Sequence, residues 1–188
     1  MGLITNHPYV KSDIVPVLES LDIPLGFMLL GLGQFEKEGY WPKGYNGAKI
    51  DTKAYRTKNP GNVGNNDEKT NNTKYYPTVR DGVIAWVNYV QRILDGKSAV
   101  YNTLGGANIT LEKYLGKYQT GNVTSYVSQV VSAFKRNGQT ISGKTLLKSI
   151  CSIGAEKKKP EQSQWKSFNT GIDWLDNFLN NIFYIPQL

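Results

Sequence analysis

The sequence predicts a mainly α protein with at most a minimal sheet and a helical C-terminal tail. Apolar residues recur at steps of three and four along several separate segments. Those segments are bounded by Pro24, Gly39 and Gly96, residues that open or close helices. Between Tyr40 and Thr78 the periodicity vanishes into Gly, Asn, Pro, Lys, Thr and Tyr, which leaves room for short strands or turns at most.

Taken in order, Ser12 and Asp13 offer a polar N-cap to a short helix carrying Ile14, Val17, Leu18 and Leu21. Asp22, Ile23 and Pro24 interrupt it. A second helix runs from Pro24 to about Glu38, with Leu25, Met28, Leu29 and Leu32 at helical spacing and Gly39 suited to its end. After the aperiodic stretch, Val83, Ile84, Val87, Val90, Ile93 and Leu94 predict a third long helix that Gly96 ends. Further helices are expected at Thr110 to Tyr118 and at Val123 to Asn137, where Val127, Val130, Val131 and Phe134 share a face, and one more within Gly138 to Ile153.

This divides the chain into a domain over residues 1–153, a polar, Lys-rich linker over 154–164 and an amphipathic tail helix over 165–188. In the tail, Trp165, Phe168, Ile172, Leu175, Leu179 and Ile182 form an apolar stripe that can pack back onto the domain or dock onto another protein. Asp173 and Asp176 on its polar face argue against a membrane-surface role.

A formal net charge of +7 points to an acidic partner: nucleic acid, anionic lipid or a cell-wall polymer carrying carboxylates and phosphates. The 22 Lys and Arg are scattered apart from Lys157, Lys158 and Lys159, so no dedicated nucleic-acid site is expected. One His and one Cys cannot build a structural zinc site, no metal or other cofactor is expected, and Cys151, beside Ile150 and Ile153, reads as a small buried hydrophobe. His7 falls in a loose N-terminal segment and is not expected to be catalytic. No signal peptide is read in Met1 to Val10, and no stretch is apolar enough for a transmembrane span.

The chemistry-bearing unit begins at Glu36, Lys37, Glu38, Gly39 and Tyr40 and continues from Tyr55 to Val63. A carboxyl at the last turn of an apolar helix, facing a polar loop, can be partly desolvated and hold a proton near neutral pH for donation to a leaving oxygen. The negative end of the helix dipole acts in the same direction. Glu36 extends the apolar face set by Leu29 and Leu32, whereas Glu38 lies at the Gly39 break, and helical geometry leaves the choice between the two acids open.

The order Glu38-Gly39-Tyr40, a spacer, then Tyr55-Arg56-Thr57-Lys58-Asn59-Pro60-Gly61-Asn62 resembles a family of phage-associated, lysozyme-like domains related to lytic transglycosylases. Asp81 to Trp86 is similar to its Gly-Ile-Xaa-Ala helix. Thr103-Leu104 or Thr110-Leu111 is similar to its Thr-Leu, Lys117-Tyr118 to its Lys-Tyr, and Asn122, Thr124, Tyr126 and Val127 to its Asn-Asp-Thr and Tyr-Val. The resemblance covers about Pro24 to Gly138; Val123 stands where the family has aspartate, the loop from Gly64 to Tyr76 carries extra Asn, Lys and Thr, and the last 50 residues have no counterpart.

The resemblance implies a lysozyme-like helical domain with Glu38 as catalytic acid and Glu36 as the alternative. It implies peptidoglycan glycan strands as substrate, with attack between N-acetylmuramic acid and N-acetylglucosamine and a 1,6-anhydro product. A lone acid suffices for that reaction, whereas an ordinary glycosidase needs a second carboxylate; Asp51, Asp67, Glu68 and Asp81 are candidates, none in a motif. Asn59 and Asn62 form a turn that can also orient sugar or the acid, Arg56 can meet peptide-stem carboxylates, and Tyr55 belongs to the same block. Tyr118 and Tyr126 can hold the N-acetyl group or the glycan, and Trp41 can stack on a pyranose ring, whereas Trp86 reads as core. The expected setting is a bacteriophage particle acting on the host wall, with residues 165–188 available to other virion proteins. The rival expectations are a wall-binding or structural virion protein without activity and, from charge alone, a nucleic-acid-binding virion protein.

Overall fold

Helix α2 (Leu25–Glu38) is the axis of the fold, and its sequence explains why. Gly26, Phe27 and every residue from Leu29 to Phe35 are buried, so the helix is enclosed on nearly all sides instead of along one stripe. Its glycines set the approach of its neighbours. A Cβ on Gly33 would lie 2.7 Å from Val130 Cα, and one on Gly26 would lie 1.8 Å from the Ile150 carbonyl oxygen. Backbones can meet that closely only where the side chain is a hydrogen atom.

The computed structural model describes residues 2–63, 74–118 and 121–155. Before α2, a π-helical turn (Val10–Ile14) runs into α1 (Val15–Glu19). After it come α3 (Lys53–Arg56), α4 (Val79–Leu94), α5 (Ala99–Asn102), α6 (Leu111–Tyr118), α7 (Val123–Arg136) and α8 (Leu147–Cys151). The protein is mainly α. Among the described residues there is no strand, only an isolated antiparallel bridge between Thr110 and Leu146.

Helix α7 lies along α2, α6 packs on α7, and α8 closes on the first turn of α2, where Gly26 N–H donates to the Ile153 carbonyl at 2.8 Å. Between them sits Trp86 of α4, fully buried, with the rings of Phe27 and Phe35 edge-on to it at 5.6 and 5.1 Å. Helix α4 starts in a reciprocal capping box between Thr78 and Asp81. One compact unit runs from Met1 to Ala155.

The sequence and the fold differ at several places. The first helical turn precedes Ser12 and Asp13, because His7 Nδ1 accepts the Val10 N–H at 3.3 Å and starts the helix upstream. The N-terminal segment is not loose. Leu3 N–H donates to Glu19 at 2.6 Å, Ile4 exchanges two bonds with Asn137, and the His7 ring stacks on Trp41 at 5.4 Å. Burial lowers the His7 pKa, opposed by the nearby Glu36 charge, so the ring serves packing in its neutral form. The aperiodic stretch contains α3, a single turn capped by Thr52 and too short to show periodicity. The helix expected within Gly138 to Ile153 is only Leu147–Cys151. Residues 156–164 of the linker and the tail helix over 165–188 lie outside the described residues. Among the described residues, no helix is long and apolar enough to cross a membrane.

Candidate active site at the end of the central helix

Helix α2 ends because Gly39 adopts a left-handed conformation (φ 73°), and the ring of Trp41 fills the space where a Cβ would stand, 2.6 Å away. Glu38 is therefore the last helical residue, half-buried, with its carboxyl against the turn that follows α3. That turn is built by its own residues. Asn59, fully buried, donates its amide to the Val63 carbonyl and accepts the Val63 N–H, both at 3.0 Å. Asn62 takes the left-handed region (φ 49°), which asparagine tolerates better than most residues. This aims its side-chain amide at Glu38 Oε2, 2.8 Å away.

Two further elements hold the same place. The Tyr118 hydroxyl of α6 donates to the Gly61 carbonyl and ties the turn to the helical body. The Tyr126 hydroxyl of α7 donates to Glu38 Oε1 at 2.6 Å. Burial first, then the Glu38 charge, raise the Tyr126 pKa well above the ordinary phenol range; for Tyr118 burial dominates, followed by Tyr126 and Glu38. Both hydroxyls keep their protons and act as donors. The Glu38 carboxyl is thus gripped on one oxygen by an amide and on the other by a phenol.

Glu36, two residues earlier, is committed elsewhere. Arg136 Nη2 meets both its oxygens at 2.7 and 2.6 Å, Gln129 donates to Oε2 at 2.6 Å and Thr5 to Oε1 at 2.5 Å. The carboxylate joins α7 and the N-terminal segment to α2. Glu36→Gln is expected to cost about 2 kcal/mol in urea unfolding, less than the roughly 3–5 kcal/mol of a fully buried broken pair. The discount follows from the 22% exposure of the Arg136 side chain.

The sequence-predicted residues therefore divide. Glu38, Asn62 and Tyr126 meet directly, and Asn59 and Tyr118 shape and anchor the turn. Trp41 flanks the site, half-buried over Gly39 and stacked on His7. Tyr55 packs instead against Tyr40 at 5.0 Å and Tyr9 at 6.1 Å. Arg56 is exposed and forms no salt bridge among the described residues. Of the second-acid candidates, Asp51 accepts the Lys43 N–H at 2.7 Å and Asp81 serves the α4 cap, while Asp67 and Glu68 lie outside the described residues. Among the described residues, no group of three or more His, Cys, Asp or Glu could hold a metal ion.

Gln34 escaped the sequence reading. It is fully buried one turn before Glu38; its Oε1 accepts Tyr114 OH at 2.9 Å and Trp86 Nε1–H at 3.3 Å, and its Nε2 donates to Tyr126 OH at 3.4 Å. A polar residue inside an apolar helical run, four positions before a candidate acid and so on its face, was the available signal. No family model, curated protein or solved structure matches the chain.

Proposed function

We propose that the chain cleaves the glycan strands of peptidoglycan as a lytic transglycosylase, between N-acetylmuramic acid and N-acetylglucosamine, with Glu38 as the only protein group that moves a proton. The observation that carries this reading is the Glu38 carboxyl at the end of α2, half-buried and held by Asn62 and Tyr126. A positioned carboxyl of this kind can serve first as acid and then as base. Protonated Glu38 gives its proton to the glycosidic oxygen as the bond to muramic acid C1 breaks. As carboxylate it then takes the proton of the same sugar's C6 hydroxyl while that oxygen closes on C1. The acid is regenerated and the product is a 1,6-anhydro ring. The setting we propose is a bacteriophage particle acting on the wall of its host, as the resemblance to phage-associated domains implies.

Digestion of purified sacculi followed by mass spectrometry of the released muropeptides tests the reaction. Products one water lighter than the hydrolysed forms are expected. Muropeptides with intact reducing ends would replace transglycosylation by lysozyme-type hydrolysis, and sacculi that bind the protein but release nothing would leave only an adhesion or scaffold role.

A further inference from the structure

Gln34 sits at the centre of a buried hydrogen-bond chain contributed by four helices: Trp86 from α4, Tyr114 from α6, Tyr126 from α7, and Gln34 itself with Glu38 from α2. The direction of each bond in the chain is dictated by chemistry. An indole N–H can only donate, so the Gln34 atom facing Trp86 must be the carbonyl oxygen. The amide nitrogen is thereby turned to Tyr126, and an NH₂ group can only donate as well. The Tyr126 oxygen therefore accepts from Gln34, and its single proton is directed to Glu38 Oε1, 2.6 Å away. Turning the amide over would set two donors against each other in a dry core and leave both without an acceptor.

We propose that Gln34 is a positioning residue that, oriented by Trp86, fixes the Tyr126 proton on Glu38 Oε1. The inference rests on the reading of Glu38 as the acid. With Oε1 always receiving a donor, a proton on the carboxyl has no free place along the Oε1 to Tyr126 line. After the proton has left, the same donor stabilises the carboxylate without any group having to rotate, as expected of a site organised before the reaction begins.

Gln34→Glu reverses the chain. A carboxylate at this position accepts from Trp86, Tyr114 and Tyr126 alike, so the Tyr126 proton turns away from Glu38 and a second negative charge stands one phenol away. The change favours the protonated form of Glu38. With ¹³C-labelled glutamate, and Glu38→Gln to assign the signal, the carboxyl titration of Glu38 is expected to move up by about one pH unit. The alkaline arm of the sacculus-clearing profile should follow it, and the maximal rate should fall about tenfold.

Trp86→Phe is the second variant, since it removes the obligate donor without touching Gln34, Tyr126 or Glu38. It frees the Gln34 amide to turn over and should move the titration in the same direction by a smaller amount. An unchanged titration midpoint in the variant that folds, or in both, overturns the role of Gln34. A shifted midpoint in a protein whose wild-type form releases nothing from sacculi keeps the hydrogen-bond chain and removes the enzymatic reading, so the two failures are told apart.

Discussion

Glu38→Gln is expected to lower the rate of sacculus clearing by about two to four orders of magnitude, the usual contribution of a positioned acid or base. Binding to sacculi should persist. The substitution keeps the size of the side chain and can keep an oxygen toward Tyr126, while the amide it introduces faces the Asn62 amide and loses one hydrogen bond. That loss is worth about 1 kcal/mol, too little to unfold the domain. A fall in kcat at nearly constant KM is therefore the signature, because on the proposed reading the interaction removed is made in the transition state and not in substrate binding. Glu36→Gln supplies the contrast: its partners Arg136, Gln129 and Thr5 are structural, so its effect should appear in the denaturation midpoint and leave the clearing rate of the folded protein close to wild type. Full activity in Glu38→Gln would end the proposed mechanism.

Gly82→Ala should damage both the fold and the site. In an exposed helix the exchange of Gly for Ala stabilises by about 1 kcal/mol. At Gly82 the new Cβ would lie 1.9 Å from the Lys58 carbonyl oxygen and 3.0 Å from Pro60 Cδ, and the first of these neighbours is backbone that cannot swing aside. Forcing the two segments apart costs about 3 kcal/mol, so the clash wins and a net loss of about 2 kcal/mol is expected in urea unfolding. The segment pushed away leads into Asn59 to Asn62, and on the reading proposed for Glu38 a displacement near 1 Å at Asn62 should lower catalysis by about a hundredfold. Gly116→Ala in α6 is the matched control: its nearest neighbour would be Val123 Cγ2 at 3.6 Å, an ordinary contact, so the helix should gain stability and activity should hold. Equal behaviour of the two variants would show that the approach of Lys58 to α4 is not tight in solution.

The long helices α2, α4, α6 and α7 were legible because each repeats its apolar residues at helical spacing, and Pro24, Gly39 and Gly96 mark ends by local chemistry. Shorter features were not. Helix α3 has four residues, fewer than a periodic pattern needs, and the π-helical turn at Val10–Ile14 depends on His7. The same split holds at the site. Asn59 to Asn62 could be seen as a turn from composition alone, and the candidate acids could be narrowed to two. What distinguishes Glu36 from Glu38 geometrically is Arg136, 100 positions away, and Tyr126, 88 positions away. Pairings at that separation are products of helix packing and leave no mark in a local window. Gln34 was overlooked for the opposite reason, since its position in an apolar run was visible but its partners Trp86, Tyr114 and Tyr126 were not.

The glycines of α2 bear on the order of events during synthesis. Gly26, Gly31 and Gly33 give this segment a weak intrinsic tendency to coil, roughly 1 kcal/mol each against alanine. Its rod-like form must therefore be secured by α7 and α8, which leave the ribosome last among the described elements. A half-made polypeptide has neither Tyr126 to grip the carboxyl nor Val130 to brace the rod. On the reading proposed for Glu38, cleaving power arrives only when the later helices have emerged, and a product truncated before α7 is expected to release nothing from sacculi.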